Sequence, residues 1–231
     1  MRVLLTCFLG LGLFSGVGAM AQVPFEKLPP GFREEAREVV TRADFAFQTR
    51  TQPKRVKVAT MEKLFDHPRL GAAMWRYCQF VPSFCAQVHA DGSWSIDDSR
   101  GLRGTLRLLL RQPGLRIYLV EGQADAGRLK SLSPAVGARM VTVYRYWDGP
   151  NGFESHLQTW TKLDSALLGF FSKPFRGYVR GRQDEFIAYI NGNVATFGEF
   201  AERDPQEFLG PLQREGDPVA IADFKALFGK K

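Results

Sequence analysis

Over Leu102–Arg111 the residue parity sorts by polarity. Leu102, Gly104, Leu106, Leu108 and Leu110 share one parity, and Arg103, Thr105, Arg107, Leu109 and Arg111 the other. A period of two puts one set on a dry side of an extended chain and the arginines on a wet side, whereas a helix would scatter the arginines around its axis. Gln112-Pro113-Gly114 turns the chain into a second strand, Leu115–Glu121; Ala138–Trp147 and Phe153–Lys162 supply two more across the turn-forming stretch Asp148–Gly152. Ala86–Ala90 and Trp94–Ile96 flank Asp91-Gly92, a hairpin signal. Asp44–Arg50 and Arg55–Ala59 also have the length and the β-branched or aromatic content of strands. Strands in immediate succession predict a sequentially connected antiparallel sheet, dry on one side.

Helical periods frame this middle section. Phe32–Thr41 follows the break Pro29-Pro30-Gly31 and reads as a short helix. Thr60 is placed to cap a helical stretch that Pro68 interrupts and that resumes to about Phe80, with Leu64, Phe65, Leu70, Met74, Trp75 and Cys78 on its apolar side. From Asp164 the period lengthens again. Leu167, Phe170, Phe171, Pro174, Phe175, Tyr178, Phe186 and Tyr189 recur at helical spacing, with Lys173, Arg176, Arg180, Gln183 and Asp184 opposite them. The pattern predicts a long amphipathic helix, bent at Pro174. Beyond Gly192 it predicts shorter helices over Thr196–Arg203, Pro205–Arg214 and Val219–Phe228.

Composition narrows the class. A chain of 231 residues with 45% hydrophobic, 24% charged and 13% aromatic positions is neither disordered, collagenous nor a coiled coil. Arg2, the apolar run Val3–Val17 and the Ala-x-Ala ending Ala19-Met20-Ala21 are the parts of a secretory signal peptide. We therefore expect residues 1–21 to be removed and the mature protein to be exported, periplasmic or secreted. In such a compartment Cys78 and Cys85 are candidates for a disulfide, with two inert buried thiols as the alternative. The formal net charge is +7, but the basic residues are dispersed and form no continuous face interleaved with aromatics. Nucleic acid is therefore not an expected partner; solvated outer faces account for the charge, with transient contact with an anionic membrane surface as the functional alternative.

Catalytic signals were sought and not met. His67, His89 and His156 stand far apart and belong to no zinc-ligand spacing, and neither a G-x-S-x-G elbow nor a phosphate-binding glycine loop occurs. Asp97-Asp98 would point to opposite faces of a strand, so they make a poor acid/base pair. Glu154 and His156 share a strand face, which cross-strand pairing on a wet surface explains better than catalysis does. No cofactor, metal or catalytic residue is assigned.

The order of parts resembles a known family. A helical segment ending in aromatics (LFDHPRLGAAMWRY) is followed by consecutive strands through GSW and GLRG, and then by a long aromatic-rich helix (ALLGFFSKPFRGYVRGRQDEFIAYI). Over roughly Lys54–Ile190 this is similar to the START-like, helix-grip superfamily of polyketide cyclases and lipid-transfer proteins. The resemblance implies an α+β fold in which a curved antiparallel sheet grips a long C-terminal amphipathic helix, with extra short C-terminal helices. The helix-grip domain would span residues 22–193 and a C-terminal helical extension residues 194–231. It further implies a cavity between sheet and helix for a hydrophobic or lipid-like molecule. Leu106, Leu108, Leu110, Ile117, Leu119, Met140 and Tyr144 would line it from the sheet, and Phe170, Phe171, Phe175 and Tyr178 from the helix, with Trp75 beside them. Arg182 and Glu185, three residues apart, would present a polar head at one end. Three alternatives stay open at this point: a filled core, a cavity enzyme of cyclase or hydrolase type using Glu121, Glu154, His156 or a tyrosine, and a structural or interaction module that docks through its C-terminal segment.

Overall fold

The computed structural model describes residues 23–81, 83–97, 102–124, 136–164 and 173–229. A turn at Phe25–Lys27 leads into α1 (Pro30–Thr41), which is followed by β1 (Phe45–Arg50), α2 (Val58–Phe65) and α3 (Pro68–Tyr77). The strands β2 (Cys85–Val88), β3 (Trp94–Asp97), β4 (Leu102–Gln112), β5 (Leu115–Ala124), β6 (Val136–Gly149) and β7 (Gly152–Leu163) come next. Three helices close the chain: α4 (Lys173–Arg203), α5 (Pro205–Glu215) and α6 (Pro218–Phe228). The seven strands form one curved antiparallel sheet in the order β1-β7-β6-β5-β4-β3-β2, so each strand from β2 to β7 lies beside its sequence neighbour and β1 returns to pair with β7. The fold is α+β, with the C-terminal helices following the strands.

Both faces of the sheet are covered, a departure from the one dry side expected. On the first face α1 packs Ala36 and Val39, with Leu28 before it, against Ile117, Leu119, Val141, Val143 and Trp160. Polar pairs fix α1 there: Arg139 donates to Glu35 and Glu38 at 3.4 Å, and Lys162 pairs with Glu38. On the second face the remaining helices gather. Met61, Leu70, Met74 and Trp75 join Phe197, Phe208 and Phe224 in one core with Tyr144, Tyr146 and Phe153 of the sheet.

The alternation in β4 holds only as far as Leu108. Leu108 pairs with Tyr118, but Leu110 pairs with Ile117, so a bulge at Leu109 slips the register by one. Past it, Leu109 and Leu110 both join the α1-side core, while Arg111 comes onto the helix side opposite Arg116. A one-residue slip moves every later side chain to the other face.

Two further expectations are corrected. Arg55–Ala59 is not a strand: Lys54 makes a single bridge to Phe153, and α2 begins at Val58, upstream of Thr60. Its free amides are met by carboxylates from far along the chain, Lys57 donating to Glu202 at 2.8 Å and Val58 to Asp148 at 3.1 Å. The expected bend at Pro174 involves residues 165–172, which lie outside the described residues; α4 is described from Lys173. The helix does not end near Gly192. It continues to Arg203, held down where Gly198 lets it approach α2 so closely that an added Cβ would lie 2.2 Å from Met61 Sδ. The domain division expected after residue 193 thus falls inside α4, and the segment beyond it supplies Ala195, Phe197, Ala201, Phe208, Leu212 and Phe224 to the same core as Trp75.

Candidate functional site

The middle of the helix-side face differs from the α1 side of the same strands. On the α1 side Ile117, Leu119, Val141 and Val143 are at most 2% exposed. Facing the helices, their strand neighbours Tyr118, Val120 and Met140, with Leu106 and Leu108 of β4, are only half-buried. Two helices bracket this stretch: α3 adjoins β2 at one edge of the sheet, and α4 adjoins β1 at the other. They meet through Trp75 of α3 and Tyr189 of α4, whose rings are 5.9 Å apart, with Phe80 and Phe84 beside Trp75.

Polar atoms lie within this apolar surface. Tyr118, Thr142 and Thr159 occupy one cross-strand row, since Tyr118 pairs with Thr142 and Thr142 with Thr159. Thr142, Thr159 and Tyr144 are 8%, 1% and 6% exposed, and none of their three hydroxyls has a hydrogen-bond partner. Asn191 of α4, 3% exposed, accepts from Ser155 Oγ at 3.0 Å through its Oδ1, while its Nδ2 is unpartnered. Burial pushes the Tyr118 hydroxyl up to about 12 against the pull of Arg116, and pushes Tyr144 higher still despite Ser155 beside it. Both phenols are neutral at physiological pH.

One end of this face is closed by an ionic cluster around the buried Arg116. Arg116, 1% exposed, donates to Asp66 at 2.8 Å, to the Glu62 carbonyl at 3.2 Å and to the Tyr146 hydroxyl at 3.3 Å, and lies over the Phe65 ring. Tyr146 in turn donates to Glu62 at 3.1 Å, and Arg111 also pairs with Asp66. Burial opposes the Arg116 charge, but these partners outweigh it and its pKa rises. The cluster has few atoms left for a ligand. It pins α2 to the β4–β5 hairpin.

The sequence-predicted lining is divided by the register. Leu106, Leu108, Met140 and Tyr144 lie on the helix side, whereas Leu110, Ile117 and Leu119 face α1, a correction to the expectation that all seven point inward together. Leu110 crosses because of the bulge. Ile117 and Leu119 cross because β4 and β5 pair even position to even position, Leu106 with Val120 and Leu108 with Tyr118. Trp75 is buried in the helical layer. Phe170 and Phe171 lie outside the described residues, as do the side chains of Phe175, Tyr178 and Arg182, although α4 carries all three. Glu185 is exposed, so it is no buried head for a ligand. Sequence reasoning missed Tyr118, Thr142, Thr159 and Asn191. Threonine and tyrosine are ordinary strand formers, and only the pairing of β6 with β7 reveals that two threonines stand side by side.

Cys78 and Cys85 are free thiols, which corrects the disulfide expectation. Cys78, at the end of α3, turns toward the helical core, while Cys85 opens the edge strand β2 and is exposed. Burial, with Glu207 nearby, pushes the Cys78 thiol up to about 11, so it is unreactive at neutral pH. Among the described residues no three His, Cys, Asp or Glu come together as metal ligands, and no helix is long and apolar enough to cross a membrane. An open groove of about 710 Å³ crosses the end of the sheet; Arg103, Thr105, Glu121, Gln123 and Arg139 line it from the α1 side and Ile96, Gly104, Gly122 and Ala138 from the helix side, so polar and apolar groups share it.

Glu121, Glu154 and His156 also belong to the α1 side. His156 lies between Arg50 and Arg145 in adjoining strands, and burial followed by these two cations lowers its pKa. The fold therefore favours neutral His156, and as pH falls below about 6.5 the unfolded chain takes up the proton first. Stability is highest above that pH and is lost as pH drops toward the folded value. Urea unfolding measured from pH 8 to pH 5 is expected to show this decline, and His156→Gln to flatten it; an unchanged decline in the variant would assign it to other groups.

No family model matches the chain, and no curated protein matches it. Solved structures with a partly similar fold include an uncharacterized protein from Rhizobium leguminosarum, 14% identical, covering 69% of this chain and 95% of its own, with a TM-score of 0.44. A conserved protein from Geobacillus kaustophilus is 10% identical over 65% of this chain and 94% of its own, with a TM-score of 0.42. A hypothetical protein from Helicobacter pylori is 10% identical over 76% of this chain and 94% of its own, also with a TM-score of 0.42.

Proposed function

We propose that this protein is an exported carrier or binder of an apolar, lipid-like molecule, built on a helix-grip, START-like plan and holding its ligand on the helix side of the sheet between α3 and α4. The observation that supports this reading is the incomplete burial of Tyr118, Val120 and Met140 on the helix side of β5 and β6, between buried Arg116, Thr142, Tyr144 and Tyr146. Ile117, Leu119, Val141 and Val143 are sealed beneath α1, while Tyr118, Val120 and Met140 on the same strands are half-buried. A sheet centre is where burial is ordinarily most complete, and apolar area left partly accessible there is area that a ligand can cover. Each methylene moved from water to such a surface contributes about 0.8 kcal/mol, so a long acyl or isoprenoid chain is held by many small gains. The apolar run Val3–Val17 after Arg2 supports export, and the net charge of +7 suits brief contact with an anionic membrane during loading.

The cavity-enzyme alternative draws less support: its candidates Glu121, Glu154 and His156 project from the opposite side of the sheet, and of its candidates only tyrosines, such as Tyr118 and Tyr144, face the helices. Native mass spectrometry of the protein purified from its own host, followed by solvent extraction, tests the carrier reading. A bound mass that extracts as lipid is expected. Protein at its bare mass that also leaves an environment-sensitive apolar dye dark would overturn it.

A further inference from the structure

Resting on that reading, we propose that the adjacent Thr142 and Thr159, aided by Tyr144 and Asn191, recognise an uncharged oxygen-bearing head group, a hydroxyl or carbonyl, on the ligand. Thr142 and Thr159 face each other across β6 and β7, which sets their Cβ atoms about 5 Å apart. Both hydroxyls are buried with no partner, as are the Tyr144 hydroxyl and Asn191 Nδ2. Four unsatisfied polar groups buried on one face of the sheet are costly, since a buried donor or acceptor ordinarily finds a bond. Their neighbours do not absorb them: Ser155 is already engaged by Thr51 at 3.1 Å and by Asn191.

The chemistry of the four groups selects the class of head. Three hydroxyls, each able to donate and to accept, and an amide NH₂, a donor only, carry no charge. The cation on this side of the sheet nearest in sequence to Tyr118, Arg116, is committed to Asp66, Glu62 and Tyr146. A carboxylate or phosphate buried beside the threonines would lose its hydration without meeting a free positive charge among the described residues, whereas an alcohol or carbonyl is fully satisfied. The threonines thus act as a selectivity filter laid over a generic apolar surface.

The test uses full-length mature protein and three sixteen-carbon probes, hexadecanol, hexadecanoic acid and hexadecane, each presented from cyclodextrin and titrated by native mass spectrometry. Hexadecanol is expected to bind about tenfold more tightly than hexadecane, the effect of one to two net hydrogen bonds, and also more tightly than the acid. In the double variant Thr142→Val with Thr159→Val the alcohol preference is expected to shrink to within twofold, with hexadecane binding unchanged and the ligand-free melting temperature raised, because two unpaired hydroxyls have become methyl groups. A purely structural role for the threonines would lower the melting temperature and weaken all three probes alike, overturning the inference. Equal binding of alcohol and hydrocarbon by the unaltered protein, or the acid binding tightest, would overturn it too while leaving the carrier reading in place. Failure of all three probes to bind overturns the carrier reading and this inference with it.

Discussion

Asp66→Ala is expected to destabilise the protein by about 3–5 kcal/mol, the scale of stripping one partner from a buried ion pair. The Asp66 carboxylate, 24% exposed, is the counter-charge of Arg116, whose side chain is 1% exposed. The bond to the Tyr146 hydroxyl and that to the Glu62 carbonyl satisfy donors but supply no formal charge, so neither replaces the carboxylate. Asp66 also holds Arg111, which the β4 bulge brings to the same side. The loss is therefore expected to loosen α2 from the β4–β5 hairpin as well. Urea denaturation followed by far-UV circular dichroism measures the change. The double variant Asp66→Ala with Arg116→Met separates charge from packing: removing both members of a buried pair is far less costly than removing one, so it is expected to recover most of the lost stability. A double variant no more stable than Asp66→Ala would show that packing, not the uncompensated charge, governs the site.

Phe208→Ala is expected to cost about 3–5 kcal/mol as well, by leaving a cavity the size of a phenyl ring in the core. Phe208 of α5 is fully buried, with its ring 4.5 Å from that of Tyr77 in α3 and 6.4 Å from that of Phe224 in α6. It therefore joins the last two helices to the layer that brackets the sheet. The unfolding transition is expected to shift as a whole and to remain a single step, whether followed by tryptophan fluorescence or by circular dichroism. If instead the two probes separate, with a C-terminal unit melting early, residues 204–228 form an appendage and not a part of the core. The result bears on the ligand site, because Trp75 on α3 is held between these helices and Tyr189 of α4.

The two kinds of helix start show what is local and what is not. Asp204 before Pro205 accepts from the Glu207 amide, and Asp217 before Pro218 accepts from Val219 and Ala220, so α5 and α6 carry their own caps in a few consecutive residues. Their starts were legible for that reason, as was the Asp91-Gly92 turn, where Gly92 takes the positive φ of 78°. The start of α2 was not legible. Its caps are Glu202 and Asp148, roughly 145 and 90 residues downstream, and Val56–Val58 in isolation has the composition of a strand.

From the chain alone came most of the element types, the sequential antiparallel sheet, the helical C-terminus and the α+β class, because each rests on a period or a turn contained within about ten residues. Tertiary structure decided which side of the sheet each residue serves. Parity within a strand says only that neighbours point apart; the bulge at Leu109 and the pairing of Leu108 with Tyr118 determine that Leu106 and Met140 face the helices while Ile117 and Leu119 face α1. The same pairing sets Thr142 against Thr159, two residues seventeen positions apart whose unsatisfied hydroxyls no local pattern announces. Burial is a property of what folds over a residue, and here that cover comes from helices at both ends of the chain.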